Sequence, residues 1–106
     1  YGTPFYMAPE LARGDAHMDG RVDVFSLGLI LYEILTYKRL INGETTQEVV
    51  DNLLNKSFPK PVEAAPTNDI PAALEAVCLR ALEKNAKDRY PDVASMFEAL
   101  RELRGQ

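Results

Sequence analysis

The most hydrophobic stretch of the chain, residues 23–35, reads DVFSLGLILYEIL and has Asp23, Ser26 and Glu33 as its clearly polar side chains. A helix that is apolar on nearly every side has to be surrounded by protein, and this run is too short and too interrupted to span a bilayer. The pattern therefore predicts a central buried helix over about residues 23–36. Asp23 is its predicted N-cap, because a carboxylate there can accept hydrogen bonds from the first turn.

A second helix is predicted over about residues 46–56. The string Thr45-Thr46-Gln47-Glu48 before it fits a capping box, in which a hydroxyl and a carboxylate each accept from backbone N–H groups at the helix start. Apolar residues at helical spacing then form one stripe, which consists of Val49, Val50, Leu53 and Leu54. Proline breaks a continuous helix, so an extended loop is predicted around Pro59, Pro61 and Pro66.

Two more helices are predicted over about residues 71–83 and 91–104. Asp69 is the predicted cap of the first, with Pro71 in its first turn, and Pro91 is predicted to open the second. The stripe of the last helix that we expect to be buried consists of Val93, Met96, Phe97, Leu100 and Leu103. Burial stabilises such a side chain by about 1.5–3 kcal/mol, so this stripe can dock the end of the chain.

The first 22 residues are rich in glycine and proline, which argues against long regular structure there. A short helix is predicted near Pro9 to Arg13, with Pro9 in its first turn. No stretch of the chain alternates between apolar and polar residues as a strand would. The predicted fold class is therefore all-α, with about four to five helices.

The composition is typical of one folded domain, with 106 residues of which 46% are hydrophobic and 26% charged. Twelve Lys and Arg against 16 Asp and Glu give a net charge of −4, so no general attraction to nucleic acid or to an anionic membrane is expected. The single cysteine, Cys78, cannot form an internal disulfide, which favours a reducing, cytoplasmic location. Because the chain starts at Tyr1 rather than Met, we expect it to be part of a longer protein.

Neither His17 nor Cys78 is predicted to have a functional role. His17 lies in a polar loop without a metal-ligand pattern around it. Cys78 lies on an apolar helix face, where it is most simply a small core residue. No metal site is predicted from the sequence.

Three motifs occur in order along the chain: GTPFYMAPE at residues 2–10, DVFSLG at 23–28 and DRYP at 88–91. The first resembles the end of the activation segment of eukaryotic-type (Hanks-type) Ser/Thr protein kinases, which closes with Ala-Pro-Glu. The second is similar to the start of the central helix of the kinase large lobe, and the third to the Arg-containing turn before its last helix. The resemblance covers nearly the whole chain, and the final stretch looks most like bacterial members.

The resemblance implies that residues 1–106 are a partial protein kinase domain, the helical C-lobe portion, with the P+1 loop and the Ala-Pro-Glu motif in residues 1–13. The parent would be an enzyme that transfers the γ-phosphoryl group of ATP, with Mg²⁺, to Ser or Thr of a protein substrate. The Gly-rich loop, the ATP-positioning Lys and the HRD and DFG motifs do not occur in the 106 residues. We expect them upstream, and we expect the segment alone to bind no cofactor and to be inactive.

The resemblance also implies a substrate-binding wall, formed by Gly2, Thr3, Pro4, Phe5 and Tyr6. Thr3 would support the catalytic loop of the parent and favours Ser/Thr over Tyr as acceptor; the alternative is an ordinary turn hydroxyl. Pro4 favours an extended backbone for itself and Thr3. Glu33 matches a carboxylate with which some kinases hold a substrate Arg, although a purely structural role is the alternative.

Three residues are implied to be structural anchors. Glu10 and Arg89 would form a buried ion pair that ties the activation segment to the last helices, whereas each alone is typical of a solvated charge. Arginine suits this role because its planar fork can hold a carboxylate with two bonds. Asp23 would accept from backbone N–H groups of the catalytic loop in addition to capping its own helix.

The chain departs from the family pattern after the central helix. Phe25 replaces the usual Trp, and residues 35–42 contain neither the Gly nor the Pro-Phe pair that the family often has there. The course of the loop into the next helix is therefore left open, together with any partner that docks on it.

Two functions other than a kinase remain open at this stage. The chain could be a pseudokinase or scaffold lobe that acts only as a protein-interaction module, or a free-standing helical interaction domain. The expected partners of a kinase segment are the protein substrate and the missing N-lobe and catalytic-loop portion. No nucleic-acid or membrane contact is expected from this segment, and any membrane anchor of the parent would lie outside it.

Overall fold

The computed structural model describes residues 4–15 and 19–104. Within these two ranges the regular structure is helical and contains no strand, so the predicted all-α class is confirmed. The α-helices of the described residues are α1 Pro9–Arg13, α2 Arg21–Thr36, α3 Thr46–Asn55, α4 Pro61–Ala64, α5 Ala72–Ala81 and α6 Val93–Leu103. Short 3₁₀ turns lie at Pro4–Tyr6 and Ala86–Asp88.

Helix α2 is the centre of the fold and packs against α4, α5, α6 and the first 3₁₀ turn. Gly28 permits the close approach of α5, because a Cβ atom at this position would lie 2.9 Å from the Cβ of Ala81. The thiol of Cys78 donates to the carbonyl oxygen of Gly28 at the same crossing, with 3.6 Å between sulfur and oxygen. Cys78 is a buried core residue, as predicted, and burial raises the pKa of its thiol to about 12.

Two clusters of buried side chains surround α2. The larger cluster joins α2 to α3, to α5 and to the residue before α1, and consists of Ala8, Phe25, Leu29, Tyr32, Ile41, Val49, Leu53, Cys78 and Leu82. The smaller cluster joins α2 to α5 and α6, and consists of Val24, Val77, Ala81, Tyr90 and Met96. Met96 is buried as predicted, but Phe97 is 50% exposed. The prediction for Phe97 is wrong because the apolar stripe of α6 is wider than the face that α2 and α5 cover.

The N-terminus of α2 differs from its prediction. The helix begins at Arg21 with Gly20 as N-cap, so Asp23 is not the cap but an exposed residue of the first turn. The reason is Asp19, whose Oδ1 accepts from the backbone N–H of Arg21 at 3.0 Å. A donor at the helix start is thereby satisfied upstream of Asp23, which still interacts favourably with the positive end of the helix dipole.

The N-cap of α5 also differs from its prediction. Its first residue is Ala72 and its N-cap is Pro71. Asp69 has a left-handed backbone, with a φ of 50°, and therefore does not cap the helix. Asp and Asn tolerate this conformation better than other side chains, so the same residue type that favours a cap also favours a turn.

Helix α6 begins at Val93 rather than at Pro91. Asp92 is its N-cap, and Oδ1 of Asp92 accepts from the backbone N–H of Ser95 at 2.7 Å. A carboxylate that satisfies a free donor of the first turn stabilises a helix start, whereas proline is only compatible with one. The start is therefore set by Asp92.

The capping box of α3 is present with one change. Oγ1 of Thr45 accepts from the backbone N–H of Glu48 at 3.1 Å, as predicted. The carboxylate of Glu48 accepts from the backbone N–H of Glu44 at 2.7 Å rather than from that of Thr45. Thr45 thus satisfies a donor of the first turn, and Glu48 satisfies one just before the helix.

The loop that was predicted to be extended contains the one-turn helix α4. Pro61 is its first residue, a position at which the missing N–H of proline costs nothing. The side chain of Glu63 accepts from the backbone N–H of Lys60 at 2.9 Å and so closes the turn. Proline therefore begins a helix here instead of only interrupting one.

One side of α2 is exposed among the described residues. Asp23, Ile30 and Ile34 lie on this side at helical spacing, and we call it the exposed side of α2. Ile30 is 44% and Ile34 62% exposed, so the described residues do not cover this side of the helix. None of the helices that the structure describes combines the length and apolar character needed to cross a membrane.

Candidate functional site

Residues 4–13 pack against the later helices, and charged side chains take part in this attachment at two places. At one of them the carboxylate of Glu10 meets Arg89, and we call this pair the buried junction. At the other, Phe5 and Tyr6 contact side chains of α2 and of the loop after it. We call this second group the outer junction, and its members are Phe5, Tyr6, Glu33 and Arg39.

The buried junction is an ion pair with two parallel hydrogen bonds. Nη1 of Arg89 donates to Oε2 of Glu10 at 2.7 Å, and Nη2 donates to Oε1 at 2.8 Å. Arg89 is only 2% exposed. This is the fork geometry that arginine, unlike lysine, can offer to a carboxylate. The contact that the resemblance implies between these two residues is therefore present in the structure.

Arg89 also uses its remaining donors. Nε donates to the carbonyl oxygen of Glu83 at 2.7 Å, Nη1 to that of Arg21 at 3.1 Å and Nη2 to that of Lys84 at 3.2 Å. A guanidinium has five N–H donors, and these three bonds together with the two to Glu10 give each donor a partner. The guanidinium carbon lies 4.8 Å from the centre of the Phe25 ring, within the range of cation–π attraction. One side chain thus joins α1, the start of α2 and the turn before α6.

The charge of Glu10 is maintained inside the protein by its partner. Burial raises the pKa of the Glu10 carboxyl, but the hydrogen bonds and the charge of Arg89 outweigh burial and hold this pKa below its ordinary value of 4.5. The carboxylate is therefore ionised at neutral pH. Loss of one partner of such a pair costs about 3–5 kcal/mol, because it leaves an uncompensated buried charge.

The outer junction fixes Tyr6 against α2. The Tyr6 hydroxyl donates to the carboxylate of Glu33, at 2.9 Å to Oε2 and 3.2 Å to Oε1. Oγ of Ser26 donates to the carbonyl oxygen of Tyr6 at 2.7 Å. The hydrogen bond to Glu33, together with burial, raises the pKa of the Tyr6 hydroxyl above 10.0. The hydroxyl therefore remains a donor at neutral pH.

Arg39 covers the other aromatic side chain of the outer junction. Its guanidinium carbon lies 3.7 Å from the centre of the Phe5 ring. Its Nε donates to Oδ1 of Asn42 at 3.2 Å, and Nδ2 of Asn42 donates to the carbonyl oxygen of Arg39 at 2.8 Å. The loop that carries Arg39 leaves α2 through Tyr37, whose backbone is left-handed with a φ of 60°. This loop is the one whose course the sequence left open.

Of the five residues predicted to form the substrate-facing wall, Gly2 and Thr3 lie outside the described residues. The other three, Pro4–Tyr6, form a 3₁₀ turn. The extended backbone predicted from Pro4 is therefore wrong, because the fixed φ of proline suits a 3₁₀ turn as well as an extended chain.

The structure brings Glu33 together with the wall residues but separates Asp23 from them. Glu33 is bonded to Tyr6, whereas Asp23 lies on the exposed side of α2, in its first turn. His17, for which no role was predicted, lies outside the described residues.

Sequence reasoning missed two residues of this region, Ser26 and Arg39. Ser26 had a usable signal, because a polar side chain on an otherwise apolar helix needs a hydrogen-bond partner. Arg39 had none, since an exposed arginine in a loop is an ordinary surface residue. Its contact with Phe5 depends on how the loop after α2 folds back, which only the structure reveals.

The described residues do not fit ATP with Mg²⁺. They contain no group of three or more His, Cys, Asp or Glu side chains that could hold a metal ion. The 106-residue sequence contains no glycine-rich phosphate loop. No step of phosphoryl transfer is therefore assigned to these residues.

The model of the protein kinase domain family matches residues 1–101, and the chain belongs to this family. It is 43% identical over 101 residues to the serine/threonine-protein kinase Pkn1 of Myxococcus xanthus. It is 41% identical over 99 residues to the tyrosine-protein kinase MasK of Myxococcus xanthus, and 40% identical over 95 residues to the serine/threonine-protein kinase PknB of Mycobacterium tuberculosis. The resemblance to protein kinases with bacterial members is therefore confirmed.

These alignments cover most of this chain but little of each relative. They include 93% of the chain for Pkn1 and MasK and 90% for PknB. The same alignments include 14% of Pkn1 and 15% of MasK and of PknB. The chain thus spans about 15% of the length of these relatives.

Proposed function

We propose that the chain is the C-terminal half of the large lobe of a Ser/Thr protein kinase, and that its outer junction faces the protein substrate. The observation that carries the proposal is the buried junction. Glu10 of the Ala-Pro-Glu motif is held by a guanidinium with all its donors in use. The stretch that precedes Glu10 is thereby held against the helical lobe, as a surface that positions a substrate must be.

In this proposal, residues 2–6 form the wall beside the phosphoacceptor. Tyr6 contributes a rigid backbone, because Glu33 and Ser26 hold its side chain and its carbonyl group. Thr3 supports the catalytic loop and favours Ser or Thr as acceptor. Glu10 and Arg89 act as structural anchors rather than as catalytic residues.

The exposed side of α2 supports the proposal that further protein covers this chain in the complete enzyme. Ile30 and Ile34 leave 44% and 62% of their surface in water, which is unusual for the most apolar helix of a fold. Asp23 lies on the same side, with an exposed carboxylate that can accept from backbone N–H groups. We propose that the N-lobe and catalytic-loop portion of the kinase packs here, with Asp23 as its anchor.

ATP and Mg²⁺ are bound by that other portion, which supplies the chemistry of phosphoryl transfer. The chain described here supplies the substrate surface and the anchors, so the segment alone is inactive. The buried free thiol of Cys78 favours a reducing compartment, the cytoplasm. The rival function, a lobe that acts only in protein interaction, has no observation of its own among the described residues.

A second candidate function is transfer to tyrosine. One relative, 41% identical over 99 residues, is named a tyrosine-protein kinase. The Thr of the Gly-Thr-Pro string favours Ser/Thr, as do the names of Pkn1 and PknB. We therefore place Ser/Thr transfer first.

The decisive experiment uses the full-length protein that contains this chain. It is incubated with Mg²⁺, radiolabelled ATP and three peptide pools that differ only in a Ser, Thr or Tyr acceptor. We expect label on Ser and Thr. Label confined to Tyr would establish the second candidate, and no label on any pool would contradict a kinase and favour the interaction lobe. The 106-residue segment alone, assayed in parallel, should transfer nothing.

A further inference from the structure

The guanidinium of Arg39 lies over the Phe5 ring, with its carbon 3.7 Å from the ring centre. A guanidinium stacked on an aromatic face directs its N–H edge sideways, away from the ring. Asn42 accepts from Nε and donates to the carbonyl oxygen of the same residue. The Arg39 side chain is therefore already ordered, so that it would lose little conformational entropy when a ligand binds.

The charge of Arg39 is not neutralised within the described part of the chain. No carboxylate of residues 4–15 and 19–104 forms an ion pair with it, whereas four other arginines are paired: Arg13, Arg21, Arg89 and Arg101. Its two terminal nitrogens have no hydrogen-bond partner among these residues either, since its bonded side-chain donor is Nε. Paired N–H groups on one guanidinium edge match the two oxygens of a carboxylate.

The carboxylate next to this arginine is already engaged. Both oxygens of Glu33 accept from the Tyr6 hydroxyl, at 2.9 and 3.2 Å. The charge of Arg39 acts on the same hydroxyl, where it opposes the effects of Glu33 and of burial on the Tyr6 pKa. The charge of Arg39 would therefore oppose the approach of a basic side chain to the outer junction.

We propose that Arg39 is a specificity-determining residue that binds an acidic side chain of the protein substrate next to the phosphoacceptor. This inference rests on the proposed function, because it needs residues 4–6 to face the substrate. In this proposal Glu33 positions Tyr6 and Arg39 contacts the substrate, so it is an alternative to the expectation that Glu33 selects a basic residue.

The test measures kcat/KM of the full-length protein on matched peptides that carry Glu, Gln or Lys at each position flanking one Ser. At one or more of these positions we expect Glu to exceed Gln by about fivefold, the upper end for an exposed ion pair, and Lys to be the poorest. Arg39→Gln should bring the Glu to Gln ratio to about one, and Arg39→Glu should invert it. Arg39→Lys should retain part of the preference, because it keeps the charge but loses the fork.

Arg101→Glu is the matched control, since Arg101 is an exposed arginine on α6 that pairs only with Glu98 among the described residues. It should leave the ratio unchanged. Because the readout is a ratio between two peptides, a partial loss of folded protein does not move it. Transfer to Ser without any Glu preference, or with a preference that Arg39→Gln leaves intact, would overturn the inference alone. Absence of transfer to every peptide would overturn the proposed function and the inference with it.

Discussion

The buried junction and the outer junction attach the same stretch, residues 4–13, to the helical lobe, but they differ in their access to water. Arg89 is 2% exposed and all its donors have partners inside the protein. Arg39 is exposed, and within the described residues its Nε is the bonded side-chain donor. Two arginines of identical chemistry therefore have different roles: the first stabilises the fold, and the second has donors free for another molecule.

The comparison teaches that burial, rather than the number of charges, sets the energy scale of each junction. A charge that loses its partner in the interior cannot be solvated, and the loss costs about 3–5 kcal/mol. A charge at the surface is solvated in either case, so an exposed pair contributes about 0–1 kcal/mol. Loss of one partner is therefore costly at the buried junction, whereas the exposed arginine of the outer junction keeps its donors accessible to a ligand.

The largest expected effect is that of Arg89→Ala, which should lower the free energy of unfolding of the kinase domain by about 3–5 kcal/mol, because Glu10 is left as a buried unpaired charge. The measurement is urea unfolding followed by circular dichroism. Arg101→Ala, the same change at an exposed arginine of α6, should cost less than about 0.5 kcal/mol. Equal losses in the two variants would contradict the difference between buried and exposed arginines.

A smaller effect is expected when only the charge of Glu10 is removed. Glu10→Gln should cost about 1.5–3 kcal/mol at pH 7, the range for hydrogen bonds to charged groups. The pKa of Glu10 is lower in the folded state than its ordinary value of 4.5. At pH values between these two pKa values, the unfolded state therefore binds more protons than the folded state. The advantage of the wild type is thus complete above pH 4.5 and is lost as the pH falls through the folded-state pKa.

The measurement is urea unfolding of both proteins between pH 7 and pH 3. Glu98→Gln provides the control, because Glu98 is an exposed carboxylate whose partner is Arg101. Its difference from the wild type should be less than about 1 kcal/mol, as for other exposed ion pairs. A Glu10→Gln penalty that persisted unchanged in acid would show that the ionic form of Glu10 contributes nothing.

The smallest effect belongs to the outer junction. Tyr6→Phe removes the hydroxyl that donates to the Glu33 carboxylate. It should lower the free energy of unfolding by about 0.5–1.5 kcal/mol, since water can reach the half-buried carboxylate and replace the hydroxyl. Tyr37→Phe is the matched control, because Tyr37 is 85% exposed and should show no measurable change. Thermal unfolding of the three proteins measures both differences. A loss of stability for Tyr6→Phe as large as that for Arg89→Ala would contradict the expected difference in energy between the two junctions.

Some of the fold was predictable because it depends on interactions between residues that are close in the sequence. The helical periodicity of residues 46–54 and the Thr45 hydroxyl predicted α3 correctly, since a capping box acts within one turn. Asp23 and Asp69 were wrongly predicted as caps for a related reason: aspartate is equally favourable in a first turn and in a left-handed turn. Which of these an aspartate adopts depends on its neighbours, here Asp19 and Pro71.

The same difference between local and distant interactions applies to the candidate site. Glu10 and Arg89 were paired in advance through the motifs that contain them, and the contact is present. The contact of Arg39 with Phe5 and the bond of Tyr6 to Glu33 could not be predicted. The first depends on the path of the loop after α2, for which the chain lacks the residues that its family often has. The second depends on how the turn Pro4–Tyr6 packs against α2.

By itself, the sequence determined the all-α class through its periodicity, and its motifs carried the resemblance that implied the kinase family and the buried ion pair. Only the tertiary structure decided which face of α2 is covered and which arginine has donors free for a ligand. The physical reason is burial. Whether an arginine is an anchor or a recognition residue depends on the water around it, and that is set by residues distant in the chain.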